Sequence, residues 1–268
     1  MNGIEIRKMV LNDRAEVELV LSRCFGGLNP AGIVERELAL GPETCWVAVT
    51  DRAVVGLVCA VQYDQLSYIG PMAVAPELQG NGIGHLLFEG LVKTLEARGC
   101  TTMMLDATNA GEPLYRKFGF AEWARTFDMG RTAGAGISTV PGNQDLAAVV
   151  SMDRALFTAD REAMLRRLLE HEGAALYANS TAYLVAQTRV LGPFAAFDPA
   201  SAARLLDRAL DDGAVASRAL APVENPEAVG LLAKRGFQVQ REVKHLRRGK
   251  PIAMRRDLMY GLASFALG

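Results

Sequence analysis

With 268 residues, half of them hydrophobic, the chain is long enough to bury one large core or two smaller ones. Its 29 Lys and Arg nearly cancel its 30 Asp and Glu, and the basic stretches Arg247-Arg248-Gly249-Lys250 and Arg255-Arg256 are short, which argues against nucleic acid as a partner. An apolar leader and a bilayer-length apolar run are both missing from the sequence, which points to a soluble cytoplasmic protein with no membrane association. The cysteines Cys24, Cys45, Cys59 and Cys100 are too far apart in sequence for a zinc knuckle or a redox pair, and each is expected as a small buried apolar residue.

Strand and helix patterns alternate along the first half. Ile4 to Lys8 reads as a strand, and Asn12-Asp13 with Glu16 offers a capping pattern for a helix ending near Phe25 at Gly26-Gly27. Cys45 to Thr50 turns through Asp51-Arg52 into Val54 to Gln62 as a hairpin, and Tyr68 to Val74 is a third apolar strand. From Gly84 the period changes: Leu86, Leu87, Phe88, Leu91, Val92 and Leu95 form a broad helical face, stopped at Arg98-Gly99. Met103 to Ala107 is a buried strand, Pro113 to Lys117 a short helix, Gly119-Phe120 a turn and Ala121 to Met129 a last strand. This order predicts an α/β fold with a mixed sheet.

The second half repeats the first. Ile69-Gly70-Pro71-Met72-Ala73 returns as Leu191-Gly192-Pro193-Phe194-Ala195, Leu86-Leu87 returns as Leu205-Leu206, and Phe118-Gly119-Phe120 returns as Arg235-Gly236-Phe237. The spacing between copies falls from 122 to 119 to 117 residues along this series, so copy two is shorter, first between the Gly-Pro strand and the long helix. A boundary is expected in Thr132-Ala133-Gly134-Ala135-Gly136, giving units 1–132 and 137–268.

That first shortening falls on the loop that carries chemistry, Gln79-Gly80-Asn81-Gly82-Ile83-Gly84, between a strand and the start of the long helix. A helix N-terminus exposes unpaired N–H groups and a partial positive charge, and glycines let a phosphate approach the backbone. The spacing is neither that of a P-loop, which ends in Gly-Lys-Ser/Thr, nor that of the dinucleotide fingerprint. Together with Val74-Ala75-Pro76 before it and Leu114-Tyr115-Arg116-Lys117-Phe118-Gly119-Phe120 after it, the loop resembles the signature of the GNAT superfamily of N-acetyltransferases. The likeness runs from about residue 4 to residue 130.

The resemblance implies two tandem GNAT-like domains, each a mixed, mostly antiparallel sheet flanked by helices. It also implies acetyl-CoA as acyl donor, with no metal. The backbone of Gln79, Gly80, Asn81, Gly82, Ile83 and Gly84 would hold the pyrophosphate. Met72, Ala73 and Val74 would hold the pantetheine arm and the thioester carbonyl, Asn109 would touch the cofactor, and Tyr115 would protonate the leaving thiolate. A base is needed to take a proton from the attacking amine; Asp64, Asp106 and Glu112 are candidates, and a water-mediated route is another. The expected acceptor is a small-molecule amine. A sensor or scaffold that binds acyl-CoA without catalysis is the alternative, and Tyr115 favours the enzyme because a mere binder needs no acid at the thiol. In copy two the corresponding loop has no glycine and Leu232 stands where Tyr115 does in copy one, so only the first copy is expected to be catalytic.

Overall fold

The apolar runs of the first half become neighbouring strands. The computed structural model describes residues 3–26, 30–50, 53–132, 145–171, 173–214 and 216–268; the expected hairpin turn at Asp51-Arg52, Gly27 of the expected helix stop and the expected linker from Ala133 onward lie outside these residues. By compactness the chain divides into two units. One holds Met1–Leu105, Asn109–Phe120 and Arg248–Lys250, and the other holds Asp106–Thr108, Ala121–Arg247 and Pro251–Gly268.

In the first unit β1 (Glu5–Lys8), β2 (Trp46–Val49), β3 (Val54–Tyr63) and β4 (Leu66–Val74) pair antiparallel in that order, and β5 (Thr102–Ala107) joins β4 in parallel. Strand β3 is buried along nearly its whole length, which is why Val54 to Val61 reads as a continuous apolar run and not as an alternation. On one face, helices α1 (Arg14–Cys24) and α2 (Ile33–Leu40) bring Val17, Val20, Leu21 and Val34 against Cys45, Val47, Leu57, Cys59 and Ala73. On the other lies α3 (Ile83–Ala97): a Cβ on Gly56 would meet Leu87 of this helix, while the adjacent Leu57 faces α1 and α2.

Two local expectations change. Helix α2 was not foreseen, because its apolar residues Ile33, Val34, Leu38 and Leu40 span barely two turns. The capping pattern at the start of α1 does not form, since tertiary partners take both carboxylates. Asp13 accepts from the Arg7 guanidinium and from Val10 N–H at 2.8 Å, and Glu16 accepts Val54 N–H at 2.6 Å.

In the second unit β7 (Ala175–Ala178), β8 (Ala182–Ala186) and β9 (Val190–Ala196) are antiparallel, β10 (Arg218–Pro222) joins β9 in parallel, and β12 (Met259–Gly261) pairs with β9. Helices α5 (Leu146–Phe157) and α6 (Glu162–Leu169) precede them, α7 (Pro199–Asp211) follows β9 and α8 (Pro226–Ala233) follows β10. This is the order of β2 to β5 with α3 and the short α4 (Glu112–Lys117), so the repeat seen in sequence is a repeat of structure. Gly70-Pro71 and Gly192-Pro193 are both cis.

Strand β6 (Ala121–Gly130) precedes the expected boundary at 132, yet it lies between two strands of the second half. It pairs antiparallel with β10, from Pro222↔Thr126 to Arg218↔Gly130, and with β11 (Gln238–Gly249), from Gln238↔Gly130 to Arg247↔Ala121. Conversely, the residues that end β11 belong to the first unit, where Lys250 N–H donates to Thr101 O at 3.0 Å. Among the described residues no helix is long and apolar enough to cross a membrane.

Candidate active site

The direction of the β4 backbone follows from its pairing. Ala75 N–H donates to Val55 O at 2.8 Å, so the next pair, Gly56↔Val74, is one whose N–H and C=O groups point away from the partner strand. The same alternation turns the Val58↔Met72 pair outward at Met72. Pairing of β4 with β5 runs from Leu66↔Thr102 to Ile69↔Leu105, so the backbone groups of Met72 and the N–H of Val74 lie past its end. Ala73, between them, turns its side chain into the α1 and α2 core.

Val74 O accepts two donors, Gln79 Nε2 at 2.9 Å and the Cys24 thiol at 3.2 Å. The Gln79 contact ties the glycine loop to the strand. Within the loop, Asn81 Nδ2 donates to Leu78 O at 3.2 Å. Gly80 and Gly82 both adopt φ of +80°, which side chains disfavour. A Cβ on Gly80 would meet nothing within 4 Å. Gly82 is the N-cap of α3 and supplies no side-chain cap, leaving the first N–H groups of Ile83 and Gly84 to another acceptor. Gly84 differs from Gly80: a Cβ there would be in ordinary contact with Met72 Cε at 3.4 Å and Leu114 at 3.6 Å.

Tyr115 lies on α4. Its ring is half-buried against Phe88 at 5.0 Å between centroids, and its hydroxyl donates to Met72 Sδ at 3.6 Å. Burial pushes the phenol up to about 12, so it carries its proton at neutral pH. Gly111 makes room for it, since a Cβ there would come within 2.9 Å of the ring. Glycine loop, outward-facing strand and protonated phenol therefore meet around Met72 and Val74. Asn109 is exposed in the turn after β5, and Glu112 is held by Arg116 at 2.8 Å.

Asp64 does not belong to this group. It sits at φ of 54° in the turn after the Tyr63↔Leu66 pair, at the opposite end of β4, which at about 3.4 Å per residue is roughly 20 Å of strand from Met72. Asp106 is placed otherwise than expected: its side chain is 1% exposed and its carboxylate meets His245 Nδ1 at 3.2 Å, within the second unit. Burial holds the His245 imidazole below its ordinary value against the opposing pull of Asp106, so the ring is neutral near pH 7. Sequence reasoning missed this partner because the two residues are 139 positions apart.

The corresponding positions of the second half are built differently. Where α3 begins at an uncapped glycine, α7 begins at Asp198, whose own carboxylate accepts Ser201 N–H at 2.7 Å and Thr181 Oγ1 at 2.9 Å. The Ser201 N–H holds this carboxyl below the usual range, so the helix N-terminus already has its anion. Leu232, in the place of Tyr115, is fully buried in an apolar core.

The chain is similar to known proteins in both sequence and fold. The acetyltransferase (GNAT) family profile matches residues 15–120, and a second acetyltransferase (GNAT) domain profile matches residues 149–261. An acetyltransferase of Photorhabdus laumondii is 32% identical over 105 residues, which cover 38% of this chain and 73% of that protein. Among solved structures, a candidate acetyltransferase from Pyrococcus horikoshii is 26% identical with a TM-score of 0.89, covering 100% of this chain and 97% of its own. A GCN5-related N-acetyltransferase from Sphaerobacter thermophilus shares the fold at a TM-score of 0.69 and 14% identity, covering 95% and 98% of the two chains. The chain belongs to the GNAT acetyltransferases, as a tandem of two such domains, and its chemistry is acyl transfer from an acyl-CoA.

Proposed function

We propose that this chain transfers an acetyl group from acetyl-CoA to the primary amine of a small molecule, by direct attack within a ternary complex. The repeat unit 1–132 supplies the catalytic loop, strand and acid, and 137–268 is a degenerate partner. The observation that carries the reading is Tyr115, a phenol that holds its proton at neutral pH, with its hydroxyl against Met72 of β4.

The N–H groups of Gly80 to Gly84 and the positive end of α3 take the pyrophosphate, with Asn109 beside the cofactor. Outward-facing backbone groups of Met72 and Val74 align the pantetheine arm, and an N–H there stabilises the oxyanion as the amine attacks the thioester carbon. When the C–S bond breaks, Tyr115 gives its proton to the departing sulfur. The amine must lose a proton first. Water takes it; Asp64 is too distant to serve.

The deciding experiment incubates the chain with acetyl-CoA and a panel of amino acids, polyamines and amino sugars, and reads free thiol. Amine-dependent thiol release that drops in Tyr115→Phe supports the enzyme. Tight acetyl-CoA binding with no release for any amine would instead identify a sensor.

A further inference from the structure

Cys45 and Cys59, distant in sequence, are face to face in the fold. The β2–β3 register places Trp46 opposite Val58, so the next residues outward, Cys45 and Cys59, are directly opposed. Their pair type follows from the other side of β2. Met9 N–H donates to Cys45 O at 2.9 Å, so the backbone groups of Cys45 point toward β1 and away from β3. That makes Cys45↔Cys59 a non-hydrogen-bonded antiparallel pair, the type with the closer side chains and a Cα separation of about 4.5 Å. Such a separation is within the range a disulfide spans. The Cys45 thiol donates to Gly41 O at 3.2 Å. Both side chains are buried, at 0% and 1% exposure. Close by on α2, Glu37 is equally buried; its Oε1 accepts from Arg36 at 2.6 Å, and its Oε2 has no protein partner.

We propose that Cys45 and Cys59 are a redox modification site that closes into a cross-strand disulfide in the presence of a small hydroperoxide. One thiolate attacks the peroxide and becomes a sulfenic acid, and the second thiol then displaces water from it to form the S–S bond. The two thiols lose two protons and two electrons, and the hydroperoxide is reduced to its alcohol and one water, or to two waters where it is hydrogen peroxide. The proton of the first thiol goes to the oxygen expelled from the peroxide. Burial slows entry of the oxidant and shields the bond, once formed, from bulky reductants, so the oxidised form is long-lived. The Cys59 thiol is held well above its ordinary value by its hydrogen bond to Cys45 and by burial, which fits a slow reaction.

The test treats the full chain with hydrogen peroxide, in buffer and in urea below the unfolding transition, which admits the oxidant by local opening. Remaining thiols are alkylated after denaturation, and the chain is digested without reduction. The expected result in either condition is a linked peptide pair containing Cys45 and Cys59 with a mass loss of two hydrogens. It should persist in Cys24→Ser and Cys100→Ser and vanish in Cys45→Ser and Cys59→Ser. Recovery of all four free thiols in both conditions would overturn the proposal, as would sulfinic acid at Cys45 or Cys59 in place of a link, or a link through Cys24 or Cys100.

Discussion

The hydroxyl of Tyr115 lies 3.6 Å from the sulfur of Met72, which fixes a phenolic proton beside β4 at a residue whose backbone groups turn away from β3. Replacing Tyr115 by Phe keeps the ring packed on Phe88 and removes only the proton. Turnover is expected to fall about 10- to 1000-fold, the range for loss of a general acid, with the KM for acetyl-CoA little changed. Steady-state kinetics check this, and turnover within twofold of the parent would reassign the acid to water.

The same phenol sets an alkaline stability limb. Its pKa is raised to about 12 in the folded chain by burial, against about 10 unfolded. The neutral form favours the fold, so its contribution is fully present below pH 10 and is lost as pH rises from 10 to 12. Urea midpoints across that window should decline less steeply in Tyr115→Phe than in the parent.

At acid pH the sign reverses for His245, whose pKa burial lowers. The unfolded chain binds this proton more readily, so stability falls as pH drops below about 6.5. His245→Gln should flatten that decline in urea titrations between pH 5 and 7. An unchanged slope would show that other groups set it.

Gly80→Asn tests the loop without breaking the fold. Asn tolerates a positive φ better than most residues, and a side chain at Gly80 enters open space, where the pyrophosphate is expected. Calorimetry should show lost acetyl-CoA affinity with an unchanged melting temperature.

One chain should bind one coenzyme A. The Asp198 carboxylate already occupies the α7 N-terminus through Ser201 N–H, and Leu232 offers no acid. Titration calorimetry should therefore give one site per chain, and Asp198→Ala should lower stability without creating a second. Two sites in the parent would show that the second half retains a cofactor site.

Much of this was legible in the sequence because it is local. A glycine loop before a helical apolar face, a tyrosine four residues before a Gly-Phe turn and a duplicated Gly-Pro strand are short-range patterns, each tied to a backbone requirement or a period of side-chain burial. The loss of the loop in the second half was readable for the same reason. Its self-capping by Asp198 was not, because that required knowing which carboxylate reaches Ser201 N–H.

Long-range pairing decided the rest. Hydrophobic periodicity says which face of a strand is buried and nothing about its neighbour, so the placement of β6 between β10 and β11 could not be read from residues 121–130. Nor could it reveal that Asp106 meets His245, that Asp64 sits at the wrong end of β4, or that Cys45 faces Cys59. The amino-acid order determined the family and the repeat and singled out the candidate site residues, since those depend on residue type and short spacing. Only the tertiary structure determined which carboxylates and thiols are brought together, because that depends on register between strands far apart in the chain.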